Sequence, residues 1–591
     1  MPDPSPIQTK FEKAFACHRQ GKLSLAQALY DEVLAIDPNH VDALHLAGVT
    51  AAQVNDHHRA IELIDKAIAL DPDHEAFHFN RGIALNELKE FGAAASSFSK
   101  AFDIKPDYGE AYLNCGNALC RLNKHEEAVD CYDKAIAIKP DDLEAYYCRS
   151  IALQQLGLNE QAIASFDQVI ALKPDLAEAF TNRGNALQEL RKFEEALASF
   201  DSAIAIKPGF AENHYNRGNA LRKLGRFESA IESYGKAVAI NPGYHEAYHN
   251  MGMTHHELNQ LDAAITCFDK AIAINPGYHE ARLHKSLALL LCGNLMQGWA
   301  LYESRWQVDR LASARRNFNR PPWLGDHSLA GKTILLHSEQ GLGDTIQFCR
   351  YVPLVADLGA RVILEAEPTL CPLLKGLEGV SGLVARGDTL PDVDFHCPLL
   401  SLPLAFRTNL DSIPHPQQYL KSDPVKLAFW KTRLGQNRSP RVGLVWSGSV
   451  THTNDDHRSI PLSTVIQALP AGFTYVSLQK ELRDEDRNTL GSNPAILHFG
   501  DELKDFTDTA ALCGVMDVVI SVDTSVAHLS GALGRPTWML LPFSPDWRWM
   551  LDRDDSPWYP SMRLFRQQRP NDWMGVFEKL SHALLNVCKP L

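Results

Sequence analysis

A proline recurs every 34 residues through the first half of this chain of 591 residues. The prolines of this series are Pro38, Pro72, Pro106, Pro140, Pro174, Pro208, Pro242 and Pro276. Composition alone does not place eight prolines at one interval, so this part of the chain must repeat one structural unit. The series ends after Pro276, and a sequence of different character follows.

Each unit of 34 residues predicts two antiparallel helices. Small residues recur at two positions, as Gly48, Gly82, Gly116, Gly184, Gly218 and Gly252 and as Ala26, Ala60, Ala94, Ala128, Ala162, Ala196, Ala230 and Ala264. Apolar residues at helical spacing lie between them, and the proline follows a second helix that it cannot continue. The pattern resembles the tetratricopeptide repeat. We expect eight full repeats and a degenerate ninth within residues 7–306, stacked as an all-α superhelix with a groove.

An asparagine precedes the repeat glycine by two residues in five repeats. These residues are Asn80, Asn114, Asn182, Asn216 and Asn250, and Cys148 and His284 interrupt the row. Packed helices lie about 8–10 Å apart and an extended peptide rises about 3.3–3.6 Å per residue, so the row could meet a peptide at about every third residue. A side-chain amide both donates and accepts hydrogen bonds. The row resembles the asparagine ladder of O-linked N-acetylglucosamine transferase, which implies a groove for a protein or peptide. The alternative is a position that tolerates a polar residue.

Charge and composition restrict the partners and the compartment. The net charge of −14 argues against nucleic acid as the main ligand, because phosphate binding needs a basic surface. The 12 cysteines include no Cys-x-x-Cys pair, which favours a reducing cytosol. The chain begins without the basic and apolar regions of a signal peptide, and no apolar run approaches the roughly 20 residues of a transmembrane helix. We therefore expect a cytoplasmic protein without a transmembrane segment.

The second half has the alternation of a parallel α/β fold. Residues 307–330 are expected to form a linker with a rigid Pro-Pro-Trp junction. Strands are predicted at 333–337, 361–365, 442–446, 474–478, 518–522 and 537–541, and a helix near 345–358. Because a proline-containing segment near 410–426 divides the strands into two series, we expect two Rossmann-like domains, 331–425 and 426–591.

The first candidate loop joins a strand to a helix at Glu339-Gln340-Gly341-Leu342-Gly343-Asp344-Thr345. Gly341 and Gly343 allow a tight turn with close backbone approach, and the helix start that follows suits an anion. The loop lacks the Gly-Lys-Ser/Thr of a Walker loop and the third glycine of a dinucleotide fingerprint. Asp344 is either a helix cap or a general base for an acceptor hydroxyl, and spacing alone favours the cap.

The second candidate loop follows a buried strand, at Ser521-Val522-Asp523-Thr524-Ser525-Val526-Ala527-His528. Free amides at the helix start, with the hydroxyls of Thr524 and Ser525, would suit a diphosphate. His528 lies one turn into the helix and could reach the same pocket. A lone histidine at such a place is more often a packing residue, and both interpretations stay open.

Taken together, these two loops carry a resemblance. Gly-Leu-Gly-Asp-Thr at 341–345 and Asp-Thr-Ser-Val-Ala-His-Leu-Ser-Gly-Ala-Leu-Gly-Arg-Pro at 523–536 resemble the heptosyltransferase group, glycosyltransferase family 9. The chain is more similar still to bacterial proteins that fuse tetratricopeptide repeats to such a domain. The stretches 298–306, 339–344, 546–549 and 556–560 carry this second similarity.

The resemblance implies a GT-B fold and an inverting, metal-independent transfer from a nucleotide-sugar, with no further cofactor. Asp344 maps onto the acceptor-activating aspartate, Asp523, Thr524 and His528 onto the donor-phosphate loop, and Arg458 onto a basic residue of the donor domain. Ser525 departs from the glycine of heptosyltransferases, so a heptose donor is not implied. The final helix, about 573–587, is expected to pack back across the first domain, as in GT-B proteins.

Two other segments have alternative interpretations. Asp392-Val393-Asp394 has the spacing of a metal-binding Asp-x-Asp motif, but we interpret it as a solvated strand edge. Aromatic residues alternate with arginines between Trp547 and Arg563, and they either stack on a ligand or form core.

Three functions are compatible with the sequence. The first is a glycosyltransferase whose repeats recruit a protein acceptor. The second is a transferase for a lipid-linked or polysaccharide acceptor, with repeats that dock a scaffold partner. The third is an interaction protein whose GT-B part only binds a nucleotide or is vestigial. The sequence specifies neither the sugar nor the nucleotide base.

Overall fold

The computed structural model describes residues 6–308, 316, 318–436, 439–450 and 455–587. These residues form two compact units, which meet in sequence between Pro242 and Gly243. Residues 309–315 and 317, which belong to the predicted linker 307–330, lie outside the described residues, as do residues 1–5 and 588–591.

The first unit consists of paired helices. They are α1 (Pro6–Arg19), α2 (Leu23–Ile36), α3 (Val41–Gln53), α4 (His57–Leu70), α5 (Glu75–Glu87), α6 (Phe91–Ile104), α7 (Gly109–Arg121), α8 (His125–Ile138), α9 (Leu143–Gln155), α10 (Asn159–Leu172), α11 (Ala177–Glu189), α12 (Phe193–Ile206), α13 (Ala211–Lys223) and α14 (Phe227–Ile240). Each predicted repeat in this unit is therefore one helix pair, and the proline follows the second helix of the pair as expected.

The repeat glycines allow the two helices of a pair to approach closely. A Cβ atom on Gly184 would lie 2.5 Å from Cε1 of Phe200, and one on Gly218 would lie 2.6 Å from Cε1 of Tyr234. Both aromatic rings are fully buried. The glycine therefore contacts the residue 16 positions later in each repeat of this unit that has the glycine, and this residue is aromatic except at Gly48, where it is Ile64.

The turn between the two helices of a pair is also repeated. It contains a residue with left-handed backbone at every interval of 34, namely Gly21, Asn55, Lys89, Asn123, Gly157, Arg191 and Gly225 in this unit. Asparagine and glycine adopt this conformation at low cost, whereas lysine and arginine do so less readily.

The second unit begins with two more helix pairs. These are α15 (His245–Glu257) with α16 (Leu261–Ile274), and α17 (His279–Leu291) with the shorter α18 (Leu295–Tyr302), which continues into the 3-10 helix Glu303–Gln307. The shortened last pair is the degenerate ninth repeat that the sequence predicted.

Two parallel sheets follow in the same unit. The strands are β1 (Thr333–His337), β2 (Arg361–Ala366), β3 (Val380–Ala385), β4 (Phe395–Pro398), β5 (Arg441–Val445), β6 (Thr474–Ser477), β7 (Ile496–His498), β8 (Val518–Val522), β9 (Thr537–Leu541) and β10 (Met562–Arg566). The first sheet has the order β3-β2-β1-β4, and the second has the order β10-β9-β8-β5-β6-β7. All paired strands are parallel, as the βαβ pattern predicted.

Helices join and cover these strands. They are α19 (Leu342–Phe348), α20 (Val352–Asp357), α21 (Cys371–Leu374), α22 (Leu402–Ala405), α23 (Pro424–Arg433), α24 (Asp455–Arg458), α25 (Leu462–Gln467), α26 (Asp484–Gly491), α27 (Phe506–Gly514), α28 (Ser525–Ala532) and α29 (Trp573–Val587). A 3-10 helix at Trp547–Trp549 follows β9.

The last two helix pairs and the sheets of the second unit share one hydrophobic core. Leu290, Trp299 and Tyr302 belong to the same buried cluster as Ile334 of β1 and Phe348 of α19. The indole N–H of Trp299 donates to the carbonyl oxygen of Thr408 at 3.1 Å. The ninth repeat is therefore part of the folding unit that contains the sheets.

The described part of the predicted linker also belongs to this unit. Trp323 and Leu329 are buried in the same cluster. The backbone N–H of Trp323 donates to the carbonyl oxygen of His396 at 2.8 Å, beside a bridge between Pro322 and β4. The Pro-Pro-Trp junction thus extends the first sheet at its edge.

The expectation for the final helix was wrong. α29 packs on the second sheet, because Val576, Phe577 and Leu580 share a buried cluster with Val442 of β5 and Phe565 of β10. α29 directly follows β10 of this sheet in the chain, and its apolar face packs on the domain to which β10 belongs.

Candidate functional site

The strand orders point to the carboxyl edges of the two sheets. In the first sheet, β2 and β3 lie on one side of β1, and β4 lies on the other; in the second, β6 and β7 lie on one side of β5, and β8 lies on the other. Ligands of open parallel sheets bind outside the carboxyl ends of the strands where the order reverses in this way. The glycine loop follows β1, and the loop with Asp523 follows β8.

These two loops lie against each other. The helices that begin in them, α19 and α28, pack together. A Cβ atom on Gly343 would lie 2.8 Å from Cδ2 of His528 and 3.5 Å from Cα of Ser525. Gly343 therefore permits the close approach of the loops, whereas Gly341 is exposed at the end of its loop. The sequence did not predict that the two loops are in direct contact.

Asp344 has both a capping bond and an ion pair. Its Oδ2 atom accepts a hydrogen bond of 2.8 Å from the backbone N–H of Gly341. Gly341 is the N-cap of α19, so Asp344 is the third residue of the helix and bonds back to the cap, rather than being the cap itself as the spacing suggested. Its Oδ1 atom pairs with the guanidinium group of Arg548. The carboxylate is thus held at the start of α19, and a cation neutralises it.

Asp523 lies at the end of β8, opposite this ion pair. Its Oδ2 atom accepts a hydrogen bond of 2.9 Å from the indole N–H of Trp549. Burial raises the pKa of Asp523 to about 6, and the negative charge of Asp546 acts in the same direction. Part of the side chain stays accessible, since 18% of it is exposed.

His528 is a buried, neutral ring. Its Nδ1 atom lies 2.9 Å from the hydroxyl of Tyr559, and its ring stacks on Trp549 with centroids 5.4 Å apart. Burial lowers the pKa of His528 far below the ordinary value, and neighbouring arginines, Arg548 first, add to this effect. The histidine thus packs in the core and also reaches the candidate site, where its Nε2 atom is 3.7 Å from Oδ1 of Asp523.

A short turn links the two loops. Asp546 starts this turn, because its Oδ1 atom accepts from the backbone N–H of Arg548 at 3.0 Å. Arg548 then reaches Asp344, and Trp549 reaches Asp523. The next residue, Met550, has φ 52° and ψ −173°, close to a region that is essentially confined to glycine. Strained backbone of this kind clusters at functional sites.

Arg458 is the last residue of α24, the short helix that follows β5, and β5 pairs with β8. Its Nη1 atom donates to the backbone oxygen of Asp523 at 2.8 Å. Its guanidinium group lies against Gly448, after β5, where a larger residue would clash with it. Arg458 therefore spans the β5–β8 reversal of strand order, as a residue at a phosphate site would.

Thr524 and Ser525 lie at the start of α28 and are half-buried. The Thr524 hydroxyl is 3.2 Å from that of Ser521. The first N–H groups of a helix have no partner within the helix, so this start is suited to an anion.

The aromatic residues that follow β9 are mainly core. Trp547, Trp549, Trp558 and Tyr559 are all buried. Trp547 and Trp558 lie edge to face at 6.1 Å. Trp549 contacts two of the candidate residues, through its hydrogen bond to Asp523 and its stacking on His528.

The Asp-x-Asp segment lies at a sheet edge, as interpreted from the sequence. Asp392 pairs with Arg320 at 2.7 Å in an exposed position. Asp394 accepts from the backbone N–H of Thr333 at the start of β1. Within the described parts of the chain, no three His, Cys, Asp or Glu side chains are grouped so that they could hold a metal ion.

The asparagines of the first unit form hydrogen bonds with other residues of the repeats. The amide nitrogen of Asn80 lies 2.8 Å from Nε2 of His45, that of Asn182 donates to Tyr147 at 3.2 Å, and that of Asn216 donates to Asn185 at 3.1 Å. Asn114 donates to the carbonyl oxygen of Glu110 in its own helix. Asn250 belongs to the second unit. Peptide binding by this row stays a prediction.

Models of known protein families match the helical repeats of this chain. The model of the family "Tetratricopeptide repeat" matches residues 18–72, 45–109, 177–210 and 245–278, and the model "TPR repeat" matches residues 116–157, 152–191 and 218–259. The helix pairs are tetratricopeptide repeats. Among the described residues, no helix is both long enough and apolar enough to cross a membrane.

The chain is also similar to individual proteins. It is 27% identical over 324 residues to Protein FlbA of Caulobacter vibrioides (strain ATCC 19089 / CIP 103742 / CB 15), in a match that covers 51% of this chain and 54% of FlbA. The chain thus spans about half of the length of this curated relative.

Solved structures are similar to parts of the chain. A crystal structure of MamA is 27% identical and covers 28% of this chain and 96% of its own, with a TM-score of 0.27. The structure titled "YrrB: a TPR protein with an unusual peptide-binding site" is 25% identical and covers 33% of this chain and 100% of its own, with a TM-score of 0.30. At these TM-scores, the similarities provide no evidence about the candidate site.

Proposed function

We propose that this protein is a glycosyltransferase that moves a sugar from a nucleotide-sugar to an acceptor hydroxyl. The repeats recruit a protein acceptor or partner. In this proposal, residues 331–425 and 426–591 are the acceptor and donor domains of a GT-B fold. The observation that carries it is the meeting of the β1 and β8 loops at the carboxyl edges of two parallel sheets, with Asp344 and Asp523 bridged by Arg548 and Trp549.

The residues present fit a nucleoside diphosphate as the leaving group. Breaking the bond between sugar and phosphate leaves negative charge on the diphosphate, which oriented N–H groups and cations stabilise. The start of α28 supplies the N–H groups, and Arg458 lies beside it on the Asp523 carbonyl oxygen. His528 is neutral, so it contributes a hydrogen bond rather than a charge.

Asp344 is the proposed base for the acceptor hydroxyl. It lies at the start of α19, in contact with the donor loop through Gly343, and is partly exposed. A base must come within hydrogen-bond distance of the proton that it takes, and Asp344 is the carboxylate that the glycine loop presents at this edge.

The repeats support recruitment of a polypeptide. In the hydrogen bonds described for Asn80, Asn114, Asn182 and Asn216, the amide nitrogen is the participating atom. None of those bonds uses the amide oxygens, so the oxygens of the half-buried Asn80, Asn114 and Asn182 remain suited to accept from a peptide N–H, whereas Asn216 is buried.

A panel of nucleotide-sugars tests the transfer. Wild-type protein should release nucleoside diphosphate from at least one of them, and Asp344→Ala should abolish release at a temperature at which circular dichroism shows the variant to be folded. Replacing Asn182, Asn216 and Asn250 together by Ala should raise the KM for a protein acceptor and leave the affinity for the donor unchanged. Equal release by Asp344→Ala would exclude this residue as the base, and an unaltered acceptor KM would exclude the asparagine row.

A non-catalytic nucleotide-binding protein is the second candidate. The ion pair of Asp344 with Arg548 favours it, because it neutralises the proposed base. This candidate predicts nucleotide binding without turnover for every donor in the panel.

A further inference from the structure

We propose that Arg548 exchanges partners when a nucleotide binds, leaving Asp344 for the diphosphate and thereby releasing Asp344 to act as a base. This inference rests on the proposed function and adds to it a positioning residue and an order of events. The donor binds first, and the carboxylate becomes basic as a consequence.

Arg548 is held by acceptors from two elements. Its Nη2 atom pairs with Asp344 on α19, its Nε atom donates to Oε1 of Gln347 at 2.6 Å, and its Nη1 atom donates to Asp546 at 2.8 Å. The arginine side chain is only 8% exposed. Gln347 and Asp546 can keep the guanidinium group in place while one N–H edge changes its partner.

The distribution of charge favours this exchange. Three carboxylates, those of Asp344, Asp523 and Asp546, interact with Arg548 or with the adjacent Trp549. Added phosphate charge is unfavourable there unless a cation turns toward it. A guanidinium group binds a phosphate through two parallel N–H groups, which makes Arg548 a suitable partner.

Arg548 also lies next to the loop that would hold the diphosphate. The following residue, Trp549, donates to Asp523, and the backbone oxygen of Asp523 accepts from Arg458. Two consecutive residues thus make the contact with the base and the contact with the phosphate loop. A small rotation of the side chain, rather than a movement of a domain, accomplishes the exchange.

The exchange explains how a paired carboxylate can act as a base. A neighbouring guanidinium group favours the ionised form of an aspartate, which lowers its basicity. When Arg548 turns to the diphosphate, the Asp344 carboxylate is no longer paired with this cation and can take the proton of the acceptor hydroxyl while the donor is in place. Since coupling between two sites is reciprocal, loss of the Asp344 charge must in turn strengthen the binding of the diphosphate.

Binding calorimetry with inorganic pyrophosphate, UDP, GDP, ADP and TDP tests the inference on the full chain. Asp344→Asn keeps an oxygen for the N–H of Gly341 and removes the ion pair. It should bind the probes at least about fivefold more tightly than wild type, within the usual range of coupling between sites. Arg548→Gln should weaken binding, and the Asp344→Asn change should give no tightening in the Arg548→Gln background.

A matched control comes from the same segment. Asp555 pairs with Arg553 at 2.8 Å on the exposed side, so Asp555→Asn removes an ion pair of the same type away from the candidate loops. Its binding constants should equal those of wild type.

The outcomes separate this inference from the proposed function. If wild type binds a probe and Asp344→Asn binds it equally or more weakly, the partner exchange is wrong and the proposed function stands. Equal tightening with and without Arg548 would also overturn the exchange, because it would reflect the removal of a charge alone. If neither wild type nor Asp344→Asn binds any probe, the proposed function is wrong and the inference falls with it.

Discussion

Gly184 and Gly235 lie in helices of the same unit and have opposite surroundings. A Cβ atom on Gly184 would lie 2.5 Å from the Phe200 ring, whereas one on Gly235 would meet nothing within 4 Å. Gly184→Ala should therefore destabilise the protein by about 1–3 kcal/mol through overpacking. Gly235→Ala should stabilise it by about 0.5–1 kcal/mol, because alanine loses less backbone entropy in a helix. Thermal unfolding of the two variants measures both changes in stability. A Gly184→Ala protein as stable as wild type would contradict the role of the repeat glycine.

The raised pKa of Asp523 predicts a pH dependence of stability. Because the pKa is about 6 in the folded chain, against an ordinary value of 3.8 for an aspartate, the folded protein binds the proton more tightly. Stability from this group is fully present below about pH 4 and is lost as the pH rises toward 6.

Asp523→Asn removes the titration and keeps an acceptor for Trp549. The free energy of unfolding of this variant relative to wild type should therefore increase between pH 4 and 7, by up to about 3 kcal/mol. Guanidinium unfolding at a series of pH values measures this difference. A difference that does not vary with pH would show that Asp523 is not a buried, desolvated acid.

At the scale of single residues, the sequence located much of the candidate site but not what connects it. Asp344, Asp523 and His528 were named from their loops and Arg458 from the family resemblance, and the structure places them around the contact between α19 and α28. The link through Arg548 was not predicted, since 204 residues separate it from Asp344 and no local pattern encodes such a pairing. The density of aromatic residues and arginines near Trp547 was the available signal.

The 3-10 helix Glu303–Gln307 fixes the end of the ninth repeat to the first sheet through Arg305. This arginine is buried and donates to Glu303 at 2.6 Å, Glu339 at 3.0 Å and Ser401 at 2.7 Å. Burial raises the pKa of Glu339 to about 7, and Arg305 opposes that rise. The pairing holds Glu339, the first residue of the glycine loop.

Arg305→Ala should therefore be strongly destabilising. Removal of one partner from a buried ion pair costs about 3–5 kcal/mol, because the remaining charge loses its compensation. Chemical unfolding measures the loss. Arg320→Ala, which breaks an exposed pair with Asp392, is the control and should leave stability unchanged. Equal effects of the two changes would mean that Arg305 does not anchor the element.

At the scale of elements, the periodicity of the sequence predicted which elements exist better than it predicted where they begin and end. The strands at 333–337, 518–522 and 537–541 were predicted with the bounds that the structure has. The predicted helix at 345–358 is divided in the structure into α19, a 3-10 turn at Cys349–Tyr351 and α20, and α19 already starts at Leu342, after its N-cap Gly341. β3, β4, β7 and β10 were missed, since β4 and β7 are short and β3 is only partly buried. Packing partners were not encoded locally, as α29 illustrates.

The division of the whole molecule falls within the repeats rather than after them. The second compact unit starts at Gly243, and Trp299 and Tyr302 share its core with β1. A fragment of residues 243–591 should fold cooperatively and remain soluble, whereas a fragment of residues 307–591 should expose this core and aggregate. Size-exclusion chromatography and circular dichroism distinguish the two results. A soluble, cooperatively folded 307–591 fragment would refute the shared core.

The sequence predicted the two architectures of the molecule because each has a period of its own, 34 residues in the repeats and alternating strands and helices in the sheets. It did not predict that the last repeats share a core with the sheets. The eighth repeat has the consensus residues Gly252, Ala264 and Pro276 of the earlier repeats, so its sequence does not show that its Phe268 packs in the same cluster as the sheets.

Thermal unfolding of the wild-type protein with UDP, GDP, ADP or TDP is the most direct test of a nucleotide site at the β1 and β8 loops. A ligand that binds the folded state raises the melting temperature by mass action, by several degrees at concentrations well above its Kd. At least one nucleotide should raise the melting temperature of wild type, and Arg458→Gln should lose that increase. No increase with any of the four, or an equal increase in Arg458→Gln, would contradict the site.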